Sequence, residues 1–198
     1  MTVAGVLLAA GTSQRMGRPK ALLPYRDKTL LQHAVETLGA TSCRPRIVVV
    51  SPEMEKGCWQ MKDVGIALVM NPDPLRGLSS SIRQAVEAIE GGAAHENVEG
   101  ILITLVDQPL VTPEHLKAIL DAGAETGLAA TSWSTTFGPP VFLYRSFFPS
   151  LKDLSGDFGA KKILRGNIDR VRMVEFPGAA LDIDDAADYG RLLSGEKA

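Results

Sequence analysis

Cysteine and histidine are scarce in this sequence, and their scarcity removes several kinds of site from consideration. Cys43 and Cys58 are the only cysteines, and neither belongs to a Cys-x-x-Cys pair or another metal-binding spacing. We therefore expect both thiols to be reduced and structural, without a disulfide. The histidines, His33, His95 and His115, are scattered and have no partner four residues away. A zinc site or a serine or cysteine triad is not expected, and surface or helix-end positions are predicted for the histidines.

The sequence also lacks an excess of one charge and any long apolar run. It has 21 Lys and Arg against 23 Asp and Glu, a formal net charge of −2, so no overall field predicts nucleic acid or an anionic membrane as a partner. No apolar run approaches the roughly 18 residues of a membrane span, and the amino terminus lacks the basic flank and cleavage site of a signal peptide. A cytoplasmic protein is the expectation.

The chain length and the apolar patterning predict a single α/β domain. The 198 residues, 45% of them hydrophobic, are enough for one sizeable core, so one domain over residues 1–198 is expected. Apolar runs without polar alternation predict strands buried on both faces, and they alternate with segments of helical periodicity. This order predicts a three-layer αβα domain with a mostly parallel, twisted sheet. An antiparallel edge is expected from Leu128–Ser132 and Pro140–Tyr144, since few residues separate these two strands.

The other predicted elements follow from the same two periodicities. Thr29 and Thr112 are expected to cap helices, and Pro113 is a good first-turn residue. The remaining strands are predicted at Val3–Ala10, Arg46–Ser51, Ile66–Met70, Gly100–Val106 and Val171–Phe176. Helices are predicted at Leu30–Leu38, from the serines 79–81 onward, from Pro113 to about Gly123 and after Asp184, with a weak helix at Glu53–Asp63 and a short aromatic helix beyond Ser146.

A glycine-rich, basic loop follows the first predicted strand. It contains Gly11 and Gly17 together with the cations Arg15, Arg18 and Lys20. Glycines let backbone N–H groups approach phosphate oxygens, and the cations neutralise negative charge, so the loop is expected to bind an anion. It matches neither the Walker spacing nor the Gly-x-Gly-x-x-Gly dinucleotide fingerprint. The alternative is a flexible loop with solvated charges.

Two further stretches of the sequence are suited to hold a phosphorylated ligand. Ser79, Ser80 and Ser81 open a predicted helix, where hydroxyls and free N–H groups can meet an anion or a base, although one serine acting as N-cap is the alternative. Asp107 ends a buried strand beside a proline turn, which makes it the first candidate ligand for magnesium. Asp182 and Asp184 flank Ile183 and would point to one side of an extended segment, so they are the candidate second ligands. Turn or cap roles are the alternative for these carboxylates.

At this point the glycine-rich loop shows a family resemblance. The stretch Leu8-Ala9-Ala10-Gly11-x-Ser13-x-Arg15-Met16-Gly17-x-Pro19-Lys20-x-Leu22-Leu23-Pro24 closely resembles the signature loop of the nucleoside-triphosphate transferases related to the molybdenum cofactor nucleotidyltransferases. In that family the loop wraps the base and triphosphate of an NTP. The resemblance therefore implies a nucleotidyltransferase fold of the GT-A, Rossmann-like type, and catalytic roles for Arg15, Lys20 and Asp107. It implies nucleotide binding by Leu8, Ala9, Ala10, Gly11, Ser13, Gly17, Lys20 and the serines Ser79, Ser80 and Ser81.

Later segments extend the resemblance to about residue 193. Asp184-Asp185-Ala186-Ala187-Asp188-Tyr189 is similar to the family motif Asp-Thr-Pro-Glu-Asp-Leu, whose leading Asp completes a magnesium site. This implies Asp184 rather than Asp182 as the second metal ligand, although Asp185 and Ala186 depart from the motif. Gly138, Pro139 and Asp157 lie in segments similar to those that meet the acceptor, and Pro139 stands where the family usually has His.

The Ala-Ala-Gly and Asp-Gln-Pro forms of the two loops look most like the cytidylyltransferase branch. The resemblance thus implies Mg²⁺-dependent transfer of CMP from CTP to a phosphorylated acceptor such as molybdopterin, with release of pyrophosphate. It also implies that the product can be delivered to a molybdoenzyme. Two alternatives stay open. One is a nucleotidyltransferase that acts on a sugar phosphate or another small phosphorylated metabolite, and the other is a non-catalytic nucleotide-binding module.

Overall fold

A seven-stranded sheet forms the centre of the computed structural model, which describes residues 1–11, 19–57, 65–92 and 97–195. The strands in these ranges are β1 (Thr2–Leu8), β2 (Pro24–Tyr25), β3 (Lys28–Thr29), β4 (Arg46–Val50), β5 (Ile66–Met70), β6 (Val98–Leu105), β7 (Leu128–Trp133), β8 (Thr136–Tyr144) and β9 (Arg172–Glu175). The helices are α1 (Leu30–Gly39), α2 (Leu78–Gly91), α3 (Pro113–Thr126), α4 (Phe148–Lys152), α5 (Lys161–Gly166) and α6 (Ala186–Ser194).

The strand order in the main sheet is β5-β4-β1-β6-β8-β7-β9. Strands β5, β4, β1 and β6 are parallel neighbours, and β7 is parallel to β9. Strand β8 runs against both β6 and β7, which supplies the expected antiparallel pairing. The predicted fold class, a mostly parallel sheet within one αβα domain, is therefore confirmed. Strands β2 and β3 form a separate small hairpin.

Two apolar layers cover the two faces of the sheet. Along β1, Val3 and Leu7 belong to one buried cluster, whereas Ala4 and Val6 belong to the other, because successive strand residues point to opposite faces. Helices α1, α3 and α6 contribute to the first cluster, and α2, α4 and α5 to the second. No helix in the described ranges is long and apolar enough to cross a membrane.

Several local predictions agree with the structure. Thr29 caps α1 in a capping box with Gln32, and Thr112 caps α3 by accepting a hydrogen bond from the backbone N–H of His115. The predicted short aromatic helix is α4. The weak helix expected over Glu53–Asp63 is instead a 3₁₀ turn at Pro52–Gly57, and the rest of that stretch lies outside the described residues, as do Cys58 and His95.

The start of β8 differs from the prediction. The strand begins at Thr136 rather than at Pro140. The register against β7 shifts between Ala130, which faces Val141, and Thr131, which faces Gly138. Pro139 and Pro140 therefore form a bulge, which is where a strand accommodates residues that cannot donate to the ladder.

His115 lies in the first turn of α3, which is one of the two expected kinds of position, but it is buried rather than exposed. Its Nε2 lies 2.8 Å from Thr131 Oγ1, and that hydroxyl donates to the carbonyl of Pro140 at 2.9 Å. The Thr131 hydroxyl has one proton, so His115 Nε2–H is the donor in the first bond. The imidazole also stacks on Phe176, with 4.3 Å between ring centroids. It therefore joins α3, β7 and the segment after β9.

The burial of His115 predicts acid sensitivity of the fold. Burial lowers the pKa of His115 from 6.5 to about 4, so the unfolded chain takes up a proton between these values that the folded chain does not. Stability should therefore fall as the pH decreases through this window, by on the order of 3 kcal/mol from this group. In urea denaturation, we expect His115→Gln to have a lower free energy of unfolding than the wild type at pH 7. Its free energy of unfolding should, however, decrease less than that of the wild type between pH 7 and pH 4. An unchanged acid-induced loss in His115→Gln would contradict the assignment.

Candidate active site

The cavity that faces the predicted nucleotide residues lies at the carboxyl ends of β1 and β6. The chain leaves β1 toward β4 and β5 on one side and returns to β6 on the other, so this edge is the switch point at which open α/β sheets collect ligands. The cavity has a volume of about 290 Å³. Its walls are formed by Leu8, Ala9, Ala10 and Gly11 after β1, Lys20 and Ala21, Pro74, Gly77, Leu78 and Ser81 around the start of α2, Leu105, Val106 and Asp107 after β6, and Asp157.

The acidic segments meet through a backbone hydrogen bond. The N–H of Ile183 donates to the carbonyl of Asp107 at 3.0 Å. Ile183 is fully buried in the core, so Asp182 and Asp184, its neighbours, lie on the opposite side of the chain from it. The charge of Asp184 acts to raise the pKa of Asp107, and the charge of Asp107 acts to raise the pKa of Asp182. The structure therefore brings together the three aspartates that the sequence singled out.

Lys20 lies among these carboxylates. Its Nζ is 2.8 Å from Asp184 Oδ1 and 3.9 Å from Asp107 Oδ2. The Lys20 side chain is 15% exposed, whereas that of Asp184 is 61% exposed. The lysine is thus placed between the strand end and the solvent, with a cationic head next to the cavity.

Asp107 and Asp182 each bury one oxygen without a donor. Oδ1 of Asp107 and Oδ1 of Asp182 are inaccessible to solvent and have no hydrogen-bond partner among the described residues. Burial raises the pKa of Asp107, while the Lys20 charge opposes the rise. Burial, followed by the negative charge of Asp107, raises the pKa of Asp182 to about 7. Unpartnered buried carboxylate oxygens are costly, and a cation would remove that cost.

The serines at the start of α2 differ in their surroundings. Asn71 is buried, and its Nδ2 donates to Ser80 Oγ at 2.8 Å and to Ser81 Oγ at 2.9 Å. The Ser80 hydroxyl also lies within hydrogen-bond distance of the carbonyls of Gly77 and Asp73, so its single proton is engaged in the protein. Ser81 lines the cavity and keeps a proton to donate. Ser79 and Ser80 line a different cavity.

Gly77 and Asp157 form one wall of the cavity in close contact. Gly77 has φ +84, and a Cβ there would lie 2.1 Å from Asp157 Oδ1 and 2.9 Å from the backbone of Gly156. Only glycine allows both this backbone conformation and this approach. The Asp157 segment, which the resemblance links to an acceptor, is therefore packed against the turn that starts α2.

Two predicted acceptor-side residues, Gly138 and Pro139, do not line this cavity. Gly138 lies within β8 beneath the ring of Trp133, and Pro139 belongs to the bulge described above. Ser13, Arg15 and Gly17 lie outside the described residues, so their roles stay predictions.

Sequence reasoning missed two buried polar residues near the site. The sequence Asn71-Pro72-Asp73-Pro74 indicates only a turn, and Gln108 enters the resemblance only through the Asp-Gln-Pro triplet. Gln108 is buried, its Nε2 donates to the carbonyl of Ala179 at 3.5 Å, and its side chain acts to lower the pKa of Asp182. A polar side chain within three residues of the carboxyl end of a parallel strand, as at both positions, is the signal that could have identified them.

Comparison with known proteins identifies the kind of domain. A family model for the MobA-like NTP transferase domain matches residues 5–172. The chain is 30% identical over 202 residues to nicotine blue oxidoreductase of Paenarthrobacter nicotinovorans, with 96% of each protein covered. It is 32% identical over 131 residues to a Mycobacterium avium protein named "Probable molybdenum cofactor guanylyltransferase", with 64% of this chain and 60% of that protein covered.

A solved structure with the same fold is that of Rv0371c from Mycobacterium tuberculosis H37Rv. It is 30% identical, has a TM-score of 0.81, and is matched over 98% of this chain and 99% of that one. A complex of Rv0371c with manganese has also been solved, with the same similarity.

The contact at Gly77 predicts a large effect of one methyl group. Gly77→Ala should destabilise the fold by about 1 to 3 kcal/mol, because the backbone conformation is one that residues with a Cβ rarely adopt. The matched control is Gly39→Ala, since a Cβ at position 39 meets nothing within 4 Å. Urea denaturation of both variants is the measurement. Equal stability of Gly77→Ala and the wild type would show that the turn does not depend on this contact.

Proposed function

Since this chain belongs to the family of MobA-like NTP transferase domains, we propose that it transfers the NMP group of a nucleoside triphosphate to a phosphorylated small molecule and releases pyrophosphate. The observation that carries the proposal is the pair of unpartnered buried oxygens on Asp107 and Asp182. Asp107 and Lys20, whose Nζ is 3.9 Å from Asp107 Oδ2, line the cavity at the carboxyl edge of the sheet. Carboxylates and a cation in this arrangement suit a metal-bound polyphosphate.

The donor set fits a hard divalent cation such as Mg²⁺. No group of three or more His, Cys, Asp or Glu side chains in the described part of the chain is arranged to hold a metal by itself. Magnesium commonly takes one or two carboxylates and completes its shell with water and phosphate oxygens, so two aspartates are enough. When bound, the ion would neutralise phosphate charge. Manganese bound to Rv0371c supports a divalent metal in this family.

We assign Asp107 and Asp182 as the residues that would hold the ion, and Asp184 as the partner of Lys20. This differs from the expectation that Asp184 is the second ligand. The reason is that Asp107 and Asp182 each have an unpartnered buried carboxylate oxygen, whereas Asp184 is exposed and paired with Lys20 Nζ at 2.8 Å. Gln108, whose side chain acts on the pKa of Asp182, would help to orient that carboxyl group.

In this proposal the chain aligns two substrates rather than forming a covalent intermediate. A phosphate oxygen of the acceptor attacks the α-phosphorus, the new O–P bond forms, and the bond from the α-phosphorus to pyrophosphate breaks. Lys20 contacts phosphate and stabilises the charge that develops on the leaving group. The backbone of Ala9–Gly11 and the hydroxyl of Ser81 hold the nucleotide, and Asp157 lies on the wall nearest the acceptor.

The choice of donor and acceptor rests on resemblance. The Ala-Ala-Gly and Asp-Gln-Pro triplets favour CTP, and a molybdopterin-type phosphate is the acceptor that this branch implies. The similarity to a guanylyltransferase favours GTP as the second candidate. The similarity to a protein named an oxidoreductase over 96% of the chain makes oxidoreductase activity another candidate, although the sequence lacks the dinucleotide fingerprint.

One assay separates these possibilities. The protein is incubated with each NTP, Mg²⁺ or Mn²⁺, and a panel of molybdopterin-type and sugar phosphate acceptors, and pyrophosphate release is measured. We expect the highest rate with CTP. A higher rate with GTP would overturn the donor assignment alone. No pyrophosphate with any pair, together with consumption of a reduced nicotinamide dinucleotide, would overturn the transferase assignment.

The metal assignment predicts a pattern of losses among aspartate variants. Asp107→Asn and Asp182→Asn should each lower turnover by roughly 100-fold, and the double variant should be little worse, since residues that act as one unit are not additive. Asp184→Asn should lower turnover less than either of these two variants. Asp121→Asn, on the exposed face of α3, is the control with wild-type turnover.

Metal-dependent turnover of these variants is the measurement. Independent, multiplicative losses at Asp107 and Asp182 would show that they do not share an ion. A non-additive pair at Asp107 and Asp184 would return the second ligand to Asp184.

A further inference from the structure

Helix α6 contacts the Lys20 segment, residues Lys20 to Tyr25, at two points. The first is the ion pair between Lys20 and Asp184, which lies just before the helix. The second is a hydrogen bond from the Tyr189 hydroxyl to the carbonyl of Pro24. Tyr189 also packs against the apolar cluster beneath α1 and α3. The helix that follows one acidic residue of the site therefore also binds the backbone that follows Lys20.

Asp184 and Tyr189 belong to one rigid unit. Asp185 caps α6 by accepting from the N–H groups of Ala187 and Asp188. The Asp188 carboxylate in turn accepts from the N–H of Asp184 at 2.8 Å and from that of Asp185 at 3.0 Å. This capping box fixes the backbone of Asp184 to the first turn of the helix. The two contacts with the Lys20 segment are therefore held at a constant separation.

The Lys20 segment is compact and has one exposed side. The N–H of Leu23 donates to the carbonyl of Lys20 at 2.9 Å, and Leu23 itself is fully buried. The Pro24 carbonyl, on the exposed side, accepts from Tyr189. Movement of the Lys20 segment would move the backbone that positions the Lys20 ammonium group.

We propose that Tyr189 is a positioning residue that holds the Lys20 segment against the acidic cluster through its hydrogen bond to Pro24. The proposal rests on the proposed function for its role in turnover. If Lys20 binds phosphate, it must exchange some of its contact with Asp184, the exposed partner of this ion pair. The Tyr189–Pro24 bond does not involve Lys20, so it can hold the segment in place during the exchange.

Position 189 departs from the family pattern in the relevant atom. The motif that Asp184–Tyr189 resembles ends in Leu, which has an apolar body but no hydroxyl. Tyr keeps an apolar ring for packing and adds the donor that Pro24 accepts. Tyr189→Phe therefore removes the hydroxyl that donates to Pro24 and keeps the aromatic ring that packs against the core.

The test compares Tyr189→Phe with Tyr144→Phe. Tyr144 likewise donates from its hydroxyl to a backbone carbonyl, that of Ala124, at 2.7 Å, but between β8 and α3. Hydrogen exchange by mass spectrometry should show several-fold faster exchange of residues 20–25 in Tyr189→Phe only. With CTP and metal, we expect kcat/KM to fall about tenfold in Tyr189→Phe, with melting temperatures lowered equally in the two variants.

A second arm asks whether Tyr189 acts through Lys20. In a Lys20→Met background, Tyr189→Phe should cause no further loss of turnover, because the group that it positions is absent. An equal loss in both backgrounds, or exchange and turnover that match those of Tyr144→Phe, would overturn the proposal. If the wild type turns over no NTP, the proposed function fails, and the exchange measurement still decides whether Tyr189 holds the segment.

Discussion

The hydrogen bond from the Ile183 N–H to the Asp107 carbonyl joins the two acidic segments of this protein. Asp107 is fixed because it ends a strand buried in the middle of the sheet, and Ile183 is fixed because its side chain lies in the core. With these two residues in register, Asp182 and Asp184 have no other place than beside Asp107. The position of Lys20, the unpartnered oxygens and the proposed metal site all depend on this contact.

Three carboxylates near one another repel, and burial makes the repulsion stronger. Burial first, and then the charge of a neighbouring carboxylate, raise the pKa values of Asp107 and Asp182. Lys20 offsets part of it from one side, at 2.8 Å from Asp184 and 3.9 Å from Asp107. A fold gains nothing in stability from leaving the two remaining oxygens unpartnered, so their arrangement is better explained by a cationic ligand than by structural need.

Much of the scaffold could be predicted from the sequence because it follows from local patterns. The apolar run that delivers Asp107, the capping threonines, and the short connection between β7 and β8 all carry signals within a few residues. The acidic cluster was anticipated from the alternation of Asp182, Ile183 and Asp184.

Contacts between distant segments were not predictable in the same way. The burial of His115, the approach of Asp157 to Gly77 and the bond from Tyr189 to Pro24 depend on which loops the fold brings together. The hydroxyls of Ser80 and Ser81 accept from Asn71, a residue whose own sequence context indicates only a turn. Resemblance could name these segments, but it could not say which atoms meet.

The central claim is that Asp107 helps to form a cation site that a nucleotide completes. Electron paramagnetic resonance of Mn²⁺ measures this directly, with the intact protein titrated in the absence and presence of CTP. We predict weak binding to the protein alone, tighter binding with CTP beyond that of CTP itself, and a loss of at least roughly tenfold in affinity in Asp107→Asn. Nucleotide-dependent Mn²⁺ binding of equal affinity in Asp107→Asn and the wild type would contradict the account.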